Sequence, residues 1–119
     1  MASEAETFDY EAARAEFKLE IPDDFNFAFD VLATQAGKAD KTALIAVAND
    51  GESAEEQSYG DLERASNQFA NVLKDIGAEK GDFAFVMITR IPAFYHALFG
   101  CMKMGVVAMP GTNLLTAHD

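Results

Sequence analysis

The feature that most constrains this sequence is the sudden loss of acidic residues in its last third. Residues 1–82 contain 19 Asp or Glu and 7 Lys or Arg, whereas residues 83–118 contain no carboxylate and only Arg90 and Lys103 as Lys or Arg. Of those 36 residues, 23 are apolar. Other parts of a protein normally cover such a segment on more than one side. A chain of 119 residues forms only a small core and can bury only a limited part of its apolar surface. We therefore expect part of the cover to lie outside this sequence, which would make the chain a fragment.

The composition is that of an ordered globular protein with an acidic surface. Half of the residues are hydrophobic and 24% are charged, which argues against a disordered tail. The formal net charge of −11 would repel the phosphates of DNA, RNA or anionic lipid. Binding to nucleic acid is therefore not expected.

The sequence carries no sign of export or of a membrane span. The single cysteine, Cys101, cannot form an internal disulfide, and the first residues lack the basic region and apolar run of a signal peptide. Arg90, His96 and Lys103 interrupt the most apolar region, so no apolar stretch approaches the ~20 residues that cross a bilayer. These observations predict a cytoplasmic protein without a transmembrane segment.

Hydrophobic periodicity predicts two helices in residues 1–41, which we interpret as an N-terminal helical segment. The first covers residues 8–19 and ends before Pro22, because the residue before a proline disfavours the helical region. The second covers residues 25–36, with Gly37 as its end.

Residues 42–119 alternate between strand and helix patterns. Strands are predicted at 42–48, 83–88 and 106–109, with a polar return strand at 55–59 after the turn at Asn49-Asp50-Gly51. Ser58 caps a helix that ends at Gly77, and a second helix covers 93–104 before Gly105. Right-handed crossovers favour parallel neighbours for the three apolar strands, and the 83–88 run is typical of a strand covered on both faces. The predicted fold class is α/β, a mostly parallel sheet flanked by helices.

Two passages resemble the AMP-forming acyl-CoA synthetases of the adenylating superfamily. The first, YGDLERASNQFANVLKDIG at 59–77, is followed by Lys80-Gly81-Asp82 and an apolar strand. The second, HALFGCMKMGVVAMPGTNLLT at 96–116, is similar to the medium-chain acyl and acetyl branch. The resemblance implies that residues 42–119 are a truncated part of the AMP-binding domain, an incomplete N-terminal subdomain of an adenylate-forming enzyme.

The reaction implied by the resemblance joins a carboxylic acid to CoA through an acyl-adenylate, with Mg-ATP and CoA as the cofactors of the whole enzyme. The family's phosphate loop ending in Pro-Lys, its Thr-Glu pair, its ribose-binding aspartate and its C-terminal lysine are absent from this sequence. We therefore expect no catalytic residue in this chain and no activity from it alone, with the remainder of the same ligase as its partner.

Most candidate sites in the sequence have structural interpretations. Gly100 and Gly105 have the spacing that opens a phosphate loop, but Val106-Val107 stands where Lys and Ser or Thr are required. Cys101 and the methionines are interpreted as core packing residues: Met87, Met102, Met104 and Met109. His96 and His118 lack the spacing of metal ligands. The paired carboxylates are sequential and lie among polar residues, which is typical of solvated loops and not of an acid-base pair: Asp23, Asp24, Glu55 and Glu56.

The position with functional promise is Pro110-Gly111-Thr112-Asn113-Leu114, which follows a predicted parallel strand. The resemblance implies that this loop lies near the path of CoA, with Asn113 and Leu114 as contacts. Arg90 is interpreted as a capping or interface residue, with contact to a phosphate as the alternative.

The rival function is a free-standing acidic interaction or dimerisation module. A Gly-rich Pro-Lys loop downstream of Asp119 would favour the ligase, and a stop codon there would favour the module.

Overall fold

The computed structural model describes residues 8–37, 41–116 and 118. Within these residues, four helical elements and four strands follow one another. The second helical element, α2, is a π-helical stretch continued by an α-helical turn. The elements are α1 (Tyr10–Glu16), α2 (Ala28–Ala33 and Thr34–Ala36), β1 (Thr42–Val47), β2 (Ala54–Ser58), α3 (Tyr59–Asp75), β3 (Phe83–Val86), α4 (Pro92–Met104) and β4 (Val107–Pro110).

The predicted helices before residue 38 are confirmed, with one change of type. The Asp9 carboxylate accepts a hydrogen bond from the Ala12 backbone N–H at 3.0 Å and so caps α1, which has no buried residue. Residues 28–33 were expected to be α-helical and instead form a π-helical stretch. Within it, Ala28 and Leu32 are buried.

Strands β1 and β2 form an antiparallel hairpin, as the turn residues predict. Ile45 faces Glu56 in the register, Gly51 has φ 73°, and the Asp50 carboxylate accepts hydrogen bonds from the backbone N–H groups of Glu52 (2.9 Å) and Ser53 (3.3 Å). The expectation that residues 42–48 lie parallel beside residues 83–88 is wrong. Within the described residues β1 pairs only with β2, because the short turn brings a polar partner strand to it first.

Helices α3 and α4 pack against each other around a small core. Leu73 of α3 and Cys101 of α4 lie at its centre with Val106, and Ser66 of α3 is fully buried beside them. Gly100 permits the close approach, since a Cβ on it would lie 2.8 Å from Cδ1 of Phe69. The predicted helices, with Ser58 as cap, are confirmed.

Strands β3 and β4 pair in parallel, as predicted, with Phe83 opposite Val107 and Phe85 opposite Met109. One face of this pair, with Val86, lies against the helices. On the other face Phe83 is 70% exposed and Phe85 56% exposed. The expectation that this strand is covered on both faces is therefore wrong for the chain by itself, because the described residues supply helices to one face only.

The molecule is more extended than a compact domain of its length. Its radius of gyration is 18.7 Å and its longest dimension is 59 Å, whereas a compact domain of this length has a radius of gyration of about 13–14 Å. In the part of the chain that the structure describes, none of the helices has the length and apolar character needed to span a bilayer.

Candidate functional site

The loop after β4 is held at the carboxyl ends of the two parallel strands. The backbone N–H of Gly111 donates to the carbonyl of Val86 at 3.0 Å, which extends the parallel pairing by one bond. The aromatic ring of Phe85 occupies the space that a side chain on residue 111 would need. A side chain at residue 111 would therefore displace the exposed ring of Phe85.

The following residues form a tight turn with side chains directed outward. Thr112 organises this turn, because its Oγ1 accepts from the Leu114 N–H at 3.2 Å and its carbonyl accepts from the Leu115 N–H at 3.3 Å. Asn113 is exposed, and Leu114 is 81% exposed. The two residues predicted to contact CoA therefore stand on an accessible turn.

A groove of about 710 Å³, which we call the strand-end groove, lies beside this turn. Three segments that are distant in sequence form its walls: the tip of the β1–β2 hairpin, the connection from β3 to α4, and the loop after β4. The lining residues are Asn49, Ile88, Thr89, Arg90, Ile91, Gly111, Thr112, Asn113 and Leu114. The groove is thus where open α/β sheets place ligands, outside the carboxyl ends of parallel strands.

Arg90 is exposed between the hairpin and the loop after β4, and it lines two further grooves of about 490 and 430 Å³. Its connection is fixed by the Ile91 N–H, which donates to the Thr89 carbonyl at 2.8 Å, and by Pro92 in the first turn of α4. The sequence placed Arg90 in the apolar third. The structure brings it to the same groove as Asn113 and Leu114.

The two glycines with phosphate-loop spacing have structural roles, as predicted. Gly100 lies within α4 at its contact with α3. Gly105 has φ 68° and ends α4, with its N–H donating to Met102 O at 3.2 Å and the Val106 N–H donating to Cys101 O at 2.9 Å. Gly100 is held inside a helix, so the pair cannot form the loop that cradles a phosphate.

Cys101 is fully buried, and burial raises the pKa of its thiol. A raised pKa disfavours the thiolate that a nucleophile needs, so the packing interpretation is confirmed. The interpretation of the methionines holds only in part. Met102 and Met104 are half-buried, whereas Met87 and Met109 are 51% and 42% exposed.

His96 makes a structural contact, as expected for a polar residue at a helix surface. Its Nε2 lies 2.8 Å from Oε1 of Gln57 and so joins α4 to the hairpin. Among residues 8–37, 41–116 and 118, no three His, Cys, Asp or Glu side chains are grouped closely enough to hold a metal ion. The paired carboxylates are exposed: Asp23, Asp24, Glu55 and Glu56. These scattered carboxylates do not form a site that fits Mg-ATP.

Asn49 and Thr89 line the groove, and sequence reasoning did not single them out. Asn49 carries a signal for a turn, and Thr89 follows an apolar strand. Neither pattern shows that the hairpin tip folds over the end of β3, so their shared location required the tertiary structure.

Residues 32–119 match the sequence model of a protein family, the AMP-binding enzymes. Mouse mitochondrial acyl-coenzyme A synthetase ACSM3 is 36% identical over 118 residues, which are 93% of this chain and 20% of that protein. Human mitochondrial ACSM4 is 37% identical over 107 residues, 83% of this chain and 18% of that protein. The chain thus spans about a fifth of the length of these curated relatives.

Solved structures show the same fold. The Brucella canis acyl-CoA synthetase superposes with a TM-score of 0.76 at 24% identity, over 89% of this chain and 21% of that one. A Mycobacterium tuberculosis fatty acyl CoA synthetase gives a TM-score of 0.62 at 27% identity, over 78% of this chain and 18% of that one. The predicted α/β class, with an incomplete amino-terminal part of an adenylate-forming enzyme, is confirmed. This chain belongs to the AMP-binding enzyme family.

Proposed function

We propose that this chain is the amino-terminal scaffold of an ATP-dependent acid–CoA ligase. The observation that carries the proposal is its identity of 36% to mouse acyl-coenzyme A synthetase ACSM3 across 93% of the chain. The match covers 20% of that relative, so the remainder of the same ligase is the proposed partner of this chain. A carboxylic acid, Mg-ATP and CoA are the proposed reactants of the whole protein.

The whole reaction has two steps. The carboxylate attacks the α-phosphorus of ATP, forms acyl-AMP and releases pyrophosphate; the CoA thiol then attacks the acyl carbon and releases AMP. Adenylation requires donors that stabilise charge developing on phosphate. The sequence contains neither the phosphate loop nor the lysine for this, so we assign the chain the support of the site and no catalytic residue.

For Asn113 and Leu114 we propose contact with CoA on its way to the acyl-adenylate. Two observations support this assignment: both side chains are exposed on a turn that Thr112 fixes, and both line the strand-end groove. An amide can hydrogen-bond to CoA while the leucine covers its apolar part.

The test separates the two half-reactions in the protein encoded by the reading frame that contains this chain. We expect Asn113→Ala and Leu114→Ala each to raise KM for CoA by about tenfold, the loss of about one good contact. ATP–pyrophosphate exchange, which needs no CoA, should stay unchanged. Leu115→Ala is the matched control, since Leu115 adjoins the turn and does not line the groove. An unchanged KM for CoA in both variants would contradict the assignment.

The chain of 119 residues by itself is predicted to be inactive. Pyrophosphate exchange by the purified chain would overturn the scaffold proposal.

A second candidate, a free-standing acidic interaction or dimerisation module, is favoured by the exposed face of β3 and β4. A reading frame that ends at Asp119 would select the module, and a downstream Gly-rich Pro-Lys loop would select the ligase.

We propose the cytoplasm as the compartment, because the buried and unbridged Cys101 suits a reducing environment. The curated relatives carry the word mitochondrial in their names. Fractionation of cells expressing the tagged protein decides between the two, since recovery with the mitochondrial matrix would contradict a cytoplasmic location.

A further inference from the structure

A smaller cavity, which we call the helix–hairpin cavity, lies between the helices and the first strand of the hairpin. Its volume is about 230 Å³, and five aliphatic and four aromatic residues line it. Its walls include Val31 and Leu32 of α2, Leu44 of β1, Leu62 of α3, and Tyr95 and Phe99 of α4. None of its lining residues also lines the strand-end groove. The two are therefore separate sites.

Two irregularities of the backbone border this cavity. Ala43 lies where the register between β1 and β2 shifts, and at such a bulge one strand carries an extra residue. Successive residues of a strand normally point to opposite faces, yet Ala43 and Leu44 both line the cavity. On another wall, Val31 and Leu32 belong to the π-helical stretch of α2, a kind of irregularity that is frequent at functional sites. Both departures from regular geometry thus meet at the same space.

The size and lining of the cavity suit a small ligand with an apolar body. A cavity of about 150 Å³ lined by apolar side chains holds one benzene ring, so about 230 Å³ accommodates a ring with a short side chain. Phe27 and Phe99 stack with their ring centres 6.1 Å apart, and the ring centre of Tyr95 lies 6.4 Å from that of Phe99. These rings offer aromatic surface to such a ligand. The phenol groups of Tyr59 and Tyr95 are the polar side-chain groups among the lining residues.

Lys41 supplies a positive charge at the edge of this cavity. Its ammonium lies 5.6 Å from the ring centre of Tyr59, which lines the cavity, and its carbonyl accepts from the Tyr59 N–H at 3.1 Å. In the part of the chain that the structure describes, the Lys41 ammonium forms no ion pair. The carboxylate of Glu56, on the neighbouring strand, accepts from the Thr42 hydroxyl at 3.2 Å. An anionic group at this edge therefore meets a cation that is available for pairing.

We propose that the helix–hairpin cavity binds a small monocarboxylate with an apolar body the size of a benzyl group, and that Lys41 holds the carboxylate at the edge. The apolar lining disfavours a ligand with further charges, because burying an unpaired charge is costly. Physiological salt screens the repulsion from the net charge of −11 beyond about 8 Å, so the adjacent Lys41 determines the local preference. The site contains neither of the proposed CoA contacts and does not depend on the proposed ligase function.

The test titrates the ¹⁵N-labelled chain of 119 residues with phenylacetate and follows the backbone amide signals of residues 31, 44, 62 and 99. We expect saturable shifts with a Kd on the order of 1 mM, as for a ligand of about ten heavy atoms. 2-Phenylethanol lacks the charge and should bind about threefold more weakly, because an exposed ion pair contributes little. Lys41→Gln should abolish this preference for the acid. Lys18→Gln is the matched control, since it removes an exposed cation just after α1, and it should keep the preference.

A second variant fills the cavity. Ala43→Ile places a larger side chain in it and should abolish the saturable shifts, whereas Ala46→Ile, the same change in the same strand but outside the cavity, should preserve them. Lys41→Gln changes an exposed side chain, so it decides the question even where Ala43→Ile fails to fold. Three results would overturn the proposal: no saturable shifts up to about 10 mM, tenfold above the expected Kd, shifts confined to β3 and β4, or equal affinity for the acid and the alcohol. Acyl-CoA formation by the longer protein is a separate measurement, so the ligase function would stand in each case.

Discussion

At the scale of single residues, Asp61 fixes the start of the longest helix. Its Oδ2 accepts from the N–H (3.0 Å) and the hydroxyl (2.7 Å) of Ser58, while Ser58 Oγ accepts from the Asp61 N–H at 3.1 Å. Arg64 donates to Oδ1 at 2.9 Å. The hydrogen bonds from Ser58, and then Arg64, lower the pKa of the Asp61 carboxyl to about 2. This reciprocal capping box anchors α3 directly after β2.

The lowered pKa of Asp61 predicts a specific loss of stability in acid. The folded-state pKa lies below the unfolded value of about 3.9, so the carboxylate stabilises the fold fully above pH 5. That contribution is lost as the pH falls from about 4 through 2. Asp61→Asn should lower the free energy of unfolding at pH 7 and flatten its pH dependence between pH 5 and 2. Urea unfolding followed by circular dichroism measures both.

The control for this prediction is Asp75→Asn, at the carboxyl end of the same helix. Removing a negative charge there should leave stability unchanged or raise it slightly, because it relieves repulsion with the helix dipole. Parallel pH profiles for Asp61→Asn and the native chain would contradict the assignment.

At the scale of elements, the contact of α3 with α4 determines the central packing of the molecule. Gly100 is fully enclosed, and a methyl group at this position would meet Cδ1 and Cβ of Phe69 at 2.8 and 3.0 Å and Ser66 O at 3.1 Å. Backbone and the stem of a side chain cannot yield as the end of a flexible chain can. The helices therefore pack closely because residue 100 has no side chain.

Gly100→Ala should lower the free energy of unfolding by about 1–3 kcal/mol, the usual cost of overpacking a core. Gly60→Ala is the control, since residue 60 lies in the first turn of α3 with its nearest contact at 3.6 Å, an ordinary van der Waals separation. That change should be neutral or stabilising by about 0.5–1 kcal/mol, because alanine favours helix. Thermal and urea unfolding compare the two variants, and equal stability would show that α4 shifts at no cost.

At the scale of the whole molecule, the uncovered sheet face determines how the chain behaves alone. Phe83, Phe85, Met87, Val107 and Met109 are all more than two-fifths exposed. Contiguous apolar surface of this kind marks an interface. In the proposed ligase, the remainder of the protein covers this face; in the separate chain, a second copy is the available cover.

We therefore expect the isolated chain to self-associate, and more strongly as salt screens the repulsion from its net charge of −11. Phe83→Glu should reduce the association measured by sedimentation velocity. Ile76→Glu is the matched control, because it places the same charge on a side chain that is 73% exposed at the end of α3. A strictly monomeric native chain at high concentration and high salt would contradict the prediction.

The features that the sequence determined by itself are those governed by neighbouring residues. The Ser58 cap, the glycine at residue 105, the turn at Asp50-Gly51 and the helix periods depend on contacts within a few positions, so the pattern specifies them. The resemblance of residues 59–77 and 96–116 likewise sufficed to indicate the family. The sequence also indicated that part of the apolar third lacks cover. Tertiary structure alone decided that the uncovered side chains include Phe83 and Phe85, that β1 pairs only with β2 in the described part, and that Asn49 and Arg90 meet Asn113 in one groove. These outcomes depend on how distant elements pack, and local sequence does not encode the positions of those elements in space.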